Sequence, residues 1–307
     1  MKQKPTENTL LLGNGFSRSI FRDMPSWGDL FEGVDSSIRD YTILYEAYRL
    51  NQANKYLREE EVKSVLIRKI KDAFSEKNIK EDIRELERFG IFLERQNVNN
   101  IITTNYDDGV EFILTHFCGY KKRIPEGLVP EQIYSIRTHY EFYNDNTGHC
   151  IKLWKIHGDM ERIKSITLGF DQYCGSLSKL MDYIKGTYKS SKSSENTECR
   201  VPMIDKCSAQ IFDGLSWAEL FFRTNLYIVG FGMNFSEIDI WWLVNKRARF
   251  QLDIPLINNS ITYLYNEEYE KPETQKAVFS ALRAFNVDCI PIRSDSAYIS
   301  SIFKSMS

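Results

Sequence analysis

Four short apolar runs in this chain each stop abruptly at polar or glycine residues. Residues 8–12 stop at Gly13-Asn14-Gly15, 99–104 at Asn105-Tyr106-Asp107, 151–156 at His157-Gly158, and 226–229 at Gly230-Phe231-Gly232. Runs that are apolar at consecutive positions need cover on both faces, which a parallel sheet between two helix layers supplies. Further strands are predicted at 261–265 and 287–292 with a helix over about 272–285 between them, a strand pair within 133–143, and a short strand at 163–169. Residues 28–97 read as helical: Tyr41, Leu44, Tyr45 and Tyr48, then Val62, Val65, Leu66 and Ile70, keep roughly i, i+3, i+4 spacing, and no proline interrupts them. The expected fold is α/β, with a Rossmann-like, mostly parallel sheet covered by helices on both faces. Residues 1–27 and 98–307 would form it, and 28–97 would be a helical insertion subdomain. Ligands of such sheets bind beyond the carboxyl ends of the strands, where the polar punctuation falls.

Of the 307 residues 42% are apolar, enough for a sizeable core, which excludes disordered and collagen-like chains. Lys+Arg number 40 against Asp+Glu 42, a net charge of −2, so bulk charge argues against direct nucleic-acid binding. The short clusters Lys121-Lys122-Arg123 and the lysines of 185–192 read as solvated loops, and the polar, Ser-rich 185–198 is expected to be a mobile loop. The first apolar run, Leu10 to Leu12, is too short for a secretory signal. No stretch reaches the ~18–20 apolar residues that span a bilayer. A cytoplasmic location without membrane attachment is expected. The six cysteines (Cys118, Cys150, Cys174, Cys199, Cys207, Cys289) include no C-x₂₋₄-C pair, and the four histidines no HExxH, so no zinc ribbon and no metal are expected.

Each strand end carries two readings. Gly13-Asn14-Gly15-Phe16-Ser17 matches part of a dinucleotide fingerprint, with Arg18 at the third glycine position; it is either a phosphate-approach turn or an ordinary tight turn. Thr104-Asn105-Tyr106-Asp107 either orients a water or ribose hydroxyl, or forms an Asx-turn into a helix at 108–115. His157 is either a base of near-neutral pKa or a satisfied junction histidine. Gly230-Phe231-Gly232, with Asn234 and Glu237 after it, is either a ribose-binding loop or a glycine-rich connector. Trp27 and the Trp241-Trp242 pair are either packing or lid and interface residues.

Taken in order, Gly13-Asn14-Gly15-Phe16-Ser17, Pro25-Ser26-Trp27, Thr103-Thr104-Asn105-Tyr106-Asp107, Lys155-Ile156-His157-Gly158 and Val229-Gly230-Phe231-Gly232 through Glu237-Ile238-Asp239 resemble the sirtuin-like superfamily, and within it the bacterial antiphage-defence NAD hydrolases. The resemblance implies an NAD glycohydrolase that gives nicotinamide and ADP-ribose and depletes NAD in abortive infection. It makes Asn105 and His157 the catalytic pair. NAD, as substrate, would be held by Gly13, Asn14, Gly15, Phe16, Ser17, Thr104, Asp107, Gly230, Phe231, Gly232, Asn234 and Glu237. Sirtuin deacylases carry a four-cysteine zinc ribbon that this chain lacks, which shifts weight from an NAD-dependent protein deacylase to plain hydrolysis. A non-catalytic NAD or ADP-ribose sensor is the alternative from another class. A homo-oligomer is expected, and 307 residues leave little room for a sensor domain, so resemblance to two-gene systems implies a HerA-type hexameric ATPase as partner.

Overall fold

A computed structural model describes residues 5–35, 38, 40–53, 58–74, 78–126, 128, 130–189, 200–268, 270–273, 275–292 and 298–306. In chain order the elements are β1 (Asn8–Leu12), α1 (Asn14–Ile20), α2 (Trp27–Leu30), α3 (Tyr41–Ala53), α4 (Glu59–Ala73), α5 (Ile83–Arg95), β2 (Val98–Thr103), α6 (Gly109–His116), β3 (Lys121–Arg123), β4 (Tyr140–Tyr143), β5 (Cys150–Lys155), α7 (Phe170–Lys185), α8 (Met203–Ala209), α9 (Leu220–Arg223), β6 (Asn225–Val229), α10 (Ile238–Asp253), β7 (Ile261–Asn266), α11 (Lys276–Ala284), β8 (Val287–Ile292) and α12 (Tyr298–Lys304).

The strands form one eight-stranded sheet in the order β3-β4-β5-β2-β1-β6-β7-β8. Six are parallel; β4 runs antiparallel to β5, and β3 antiparallel to β4. Counting only the parallel strands in chain order, their spatial order is 3-2-1-4-5-6, the doubly wound Rossmann arrangement, with its switch point between β1 and β6. This is the fold the sequence predicts.

The reason lies in the pleat. Leu10, Leu11 and Leu12 are all fully buried, yet side chains alternate faces. Leu10 and Leu12 join a core that includes Ile101, Leu153, Phe89 and Leu264, whereas Leu11 joins a second core with Ile102, Trp154, Ile228 and Tyr263. Each buried leucine contributes about 2 kcal/mol. Buried residues of α3 and α4, such as Tyr45, Val62 and Leu66, belong to the first core and do not form a separate one.

Three local expectations need correction. Residues 163–169 form no strand: Ile163–Ser165 is a 3-10 turn in which the Ser165 amide donates to Arg162 O. Within 133–143 only Tyr140–Tyr143 is extended. Lys121–Arg123 is the exposed edge strand, not a solvated loop. Charged side chains blunt such an edge, and here Lys122 and Arg123 lie over the rings of Tyr140 and Tyr143. Most of the 185–198 stretch, including 190–198, lies outside the described residues, as does Cys199. The other five cysteines are free thiols. Among the described residues no helix is long and apolar enough to cross a membrane.

Candidate functional site

Strand register sets the site. Leu12 pairs with both Thr103 and Val229, and Thr103 pairs with Lys155. The punctuating residues therefore leave the sheet at one level. Asn105 and His157 are each two residues beyond the Thr103–Lys155 pair.

At the switch point the glycines first serve each other. Gly13 N donates to Val229 O (3.0 Å), and Gly15 N to Gly230 O (2.7 Å). A Cβ on Gly13 would lie 2.5 Å from Gly230 O, and one on Gly230, whose φ is +59°, would lie 2.3 Å from Phe16 N. Gly232 is the exception: it is exposed, and a Cβ there would meet nothing. Phe16 and Phe231 are buried in opposite cores, Phe16 against Phe89, so only their backbone faces the turns. Asn14 donates through Nδ2 to Pro25 O (3.1 Å), which ties the first turn to the Pro25-Ser26-Trp27 element. There Ser26 and Asp29 form a capping box, and Trp27 stacks on Phe31 and Tyr41 and meets Tyr106 in a T-shaped pair.

Beyond β2, Thr104 is buried and its amide donates to Leu12 O (3.3 Å). Asn105 is fixed by both amide hydrogens: Nδ2 donates to Gly13 O (3.1 Å) and to Ser17 Oγ (2.9 Å). Among the described residues no donor reaches its Oδ1, which stays available as an acceptor. Ser17 Oγ donates to the Asp107 carboxylate at 3.1–3.2 Å, and Gly109 N donates to Asp107 Oδ1 (2.8 Å). Asp107 is thus the Asx-turn residue before α6 as well as Ser17's acceptor. Burial holds its carboxyl above the ordinary carboxylate range, against the pull of Gly109 N, Lys155 and Ser17. Structure thus brings Gly13, Ser17, Asn105 and Asp107 into one buried network.

His157 belongs to a second network. Its Nε2 lies 2.9 Å from Asp239 Oδ2 and its Nδ1 3.5 Å from Glu237 Oε2. Glu237 also accepts from Tyr173 Oη (2.9 Å), whose ring meets the imidazole edge to face. Burial would push the His157 pKa down, but Asp239 and Glu237 more than reverse this and raise it to about 8. Burial pushes Glu237 up to about 7, with His157 opposing. Gly158, at φ +109°, has no room for a Cβ, which would sit 2.5 Å from Ser165 O. Its glycine therefore serves the fold here. Asn234 accepts from Ser236 N and Oγ through Oδ1 and so caps the turn into α10.

The two networks meet through backbone. Tyr106 Oη donates to Thr167 O (2.6 Å), Thr167 N to His157 O (2.8 Å), and Met160 N to Tyr106 O (3.2 Å). Beside Thr167, a cavity of about 440 Å³ opens between α4 and the Lys164–Thr167 segment, lined also by Tyr134 and Gln172.

Asp239 and Tyr173 are site residues that sequence reasoning did not assign. Asp239 was visible only as the second acid of Glu237-Ile238-Asp239, and Tyr173 sits on the buried face of α7 with Leu180, Tyr183 and Ile184, where a tyrosine reads as core packing. Among the described residues His157, Glu237 and Asp239 form the one cluster that could ligate a metal, since one ligand atom from each lies within 4.8 Å of the others. The ring presents a different nitrogen to each carboxylate, so a single ion could take only one nitrogen, and the arrangement reads as a hydrogen-bonded imidazolium between two acids.

No protein-family model matches the chain, and no curated protein is similar to it.

Proposed function

We propose that this chain is a sirtuin-like NAD glycohydrolase. The observation that carries the reading is the clamped Asn105, whose free Oδ1 sits level with His157 on the neighbouring strand end and beside a doubly wound switch point. The C1′–N bond of NAD breaks with its electron pair going to the pyridinium nitrogen, so neutral nicotinamide leaves without acid help. Water oxygen bonds to C1′ and one proton is released. Asn105 Oδ1 is suited to accept from that water and hold it in line. His157 in its neutral form takes the proton, directly or from a ribose hydroxyl. Fixed dipoles and positioning supply most of the gain. Gly13, Asn14, Gly15, Ser17 and the backbone of Phe16 would face the pyrophosphate and its ribose. Thr104 and Asp107 would support the nicotinamide end, and Gly230, Phe231, Gly232, Asn234 and Glu237 the adenosine side.

The test is nicotinamide release from NAD by the purified chain, alone and with a HerA-type ATPase. Asn105→Ala and His157→Ala are each expected to lower the rate on the order of 10²–10⁴-fold. Full activity in both variants would end the assignment. We read its setting as antiphage defence by NAD depletion in the cytoplasm, with oligomerisation or the partner ATPase gating access.

One observation favours a second reading, a non-catalytic NAD or ADP-ribose sensor: both His157 nitrogens already face carboxylates and the side chain is 2% exposed. That reading predicts saturable ADP-ribose binding by calorimetry with no nicotinamide released under any condition.

A further inference from the structure

Lys155 ends β5 two residues before His157, and its side chain is 1% exposed. Its Nζ donates to Asp108 Oδ1 (2.8 Å) and lies 3.1 Å from Glu111 Oε1 and 3.7 Å from Asp159 Oδ1. These carboxylates come from three places: the loop after β2, the first turn of α6, and the loop after β5. Asp108 follows Asn105 by three positions, and Asp159 follows His157 by two. One ammonium thus joins both loops that carry the proposed catalytic pair.

A buried ion cluster is poor evidence for stability, because a lysine-sized apolar side chain would fill the volume without a desolvation penalty. Here the surroundings are built to keep the charge. Tyr140 Oη donates to Asp159 Oδ2 (2.7 Å), Glu161 N donates to Asp159 Oδ1 (2.9 Å), and Lys122 Nζ stands 4.0 Å from Glu111. Burial would push the lysine down, but Glu111, Asp159 and Asp108 overcome this and hold it above its ordinary range. Burial pushes Glu111 up to about 7 against the pull of Lys155, which limits the excess of negative charge.

We propose that Lys155 is a positioning residue: it fixes the separation of the two strand-end loops and thereby the distance between the Asn105 amide and the His157 imidazole. The proposal rests on the reading that those two side chains act on one glycosidic carbon. Among the described residues the hydrogen bond and ion pairs of the Lys155 ammonium go to Asp108, Glu111 and Asp159 and not to the β1–β6 switch-point loops that would hold the nucleotide, so loosening the staple should lower turnover more than binding.

Asp108→Asn and Asp159→Asn each leave Lys155 two carboxylates. The Asp108 side chain caps no helix amide, and asparagine is as good at that position, so the first variant keeps the fold. With the full chain, kcat for nicotinamide release is expected to fall on the order of tenfold to a hundredfold in both variants, with KM within about threefold and the melting temperature of Asp108→Asn unchanged. A kcat within about twofold of wild type in both variants would overturn the proposal, as would a KM rise that accounts for the whole loss. Should wild type release no nicotinamide, the functional reading fails by itself, and the staple is then judged by ¹⁵N NMR of the His157 ring. Ring resonances displaced in Asp159→Asn uphold it, and resonances identical to wild type refute it.

Discussion

At Gly230 the backbone is both left-handed and pressed against Phe16 N, so a single methyl group has nowhere to go. Gly230→Ala is expected to cost about 2–4 kcal/mol, from positive-φ strain plus overpacking. Gly232→Ala, in open space, should change stability by no more than about 0.5 kcal/mol but weaken ADP-ribose binding. Chemical denaturation and calorimetry on the two variants separate a fold glycine from a ligand glycine. The imidazole of His157 carries a different forecast. Its pKa of about 8 exceeds the ordinary 6.5, so its proton stabilises the fold. That contribution, about 2 kcal/mol, is fully present below pH ~6.5 and is lost as pH rises through about 8. In the proposed reaction the neutral ring takes the proton, so the rate of nicotinamide release should climb through the same interval. NMR titration of the ring should give the same midpoint, and Asp239→Asn should move both midpoints down. A midpoint unaffected by Asp239→Asn would mean that the carboxylate does not set the charge.

Helix α10 delivers Glu237 and Asp239 to His157, so whatever fixes this helix fixes the imidazole. Arg247 does much of that. It is buried, burial pushes its guanidinium down to about 10, and it donates to Asn286 O (3.0 Å) and to Asn259 O. Arg247→Ala would take these donors away, leaving Asn259 O only the long bond from Gln251 Nε2 (3.4 Å), and should destabilise the protein by about 3 kcal/mol in urea melts, with the His157 titration shifted because its acids lose their anchor. β1 is legible to the residue because consecutive apolar side chains ahead of a glycine turn admit few alternatives, and β8 matches its expected bounds although Asp288 and Pro291 interrupt its apolar run. Residues 163–169 misled because Ile166 and Leu168 alternate with Ser165 and Thr167 as in a strand. Yet Ser165 Oγ accepts from Asp159 N, and Thr167 O accepts from Tyr106 Oη, so these polar groups go to loops and not to a sheet neighbour. Likewise the sequence carried Asn105, Asp107 and His157 to the right strand ends. It could not say that Asn105 turns toward Ser17 while His157 turns toward α10, since that depends on which face each side chain takes after the strand ends.

Across the whole molecule, the 3-2-1-4-5-6 order makes a directional forecast. Nucleotide should enter where the order reverses, between the carboxyl ends of β1 and β6. Hydrogen exchange with saturating ADP-ribose should slow amides of 13–17 and 230–238 and leave the exposed β3 edge unaffected. Protection confined to the opposite end of the sheet, near the 180 Å³ hollow between Asn99, Trp154 and Arg223, would refute that placement. The interlocked glycine turns also limit how such a protein can diversify. Backbone rests on backbone across the seam of the two half-sheets, so that floor can neither slide nor be recut by changing side chains. New ligand preferences would have to be written on the side chains around that floor, while the seam is inherited unaltered.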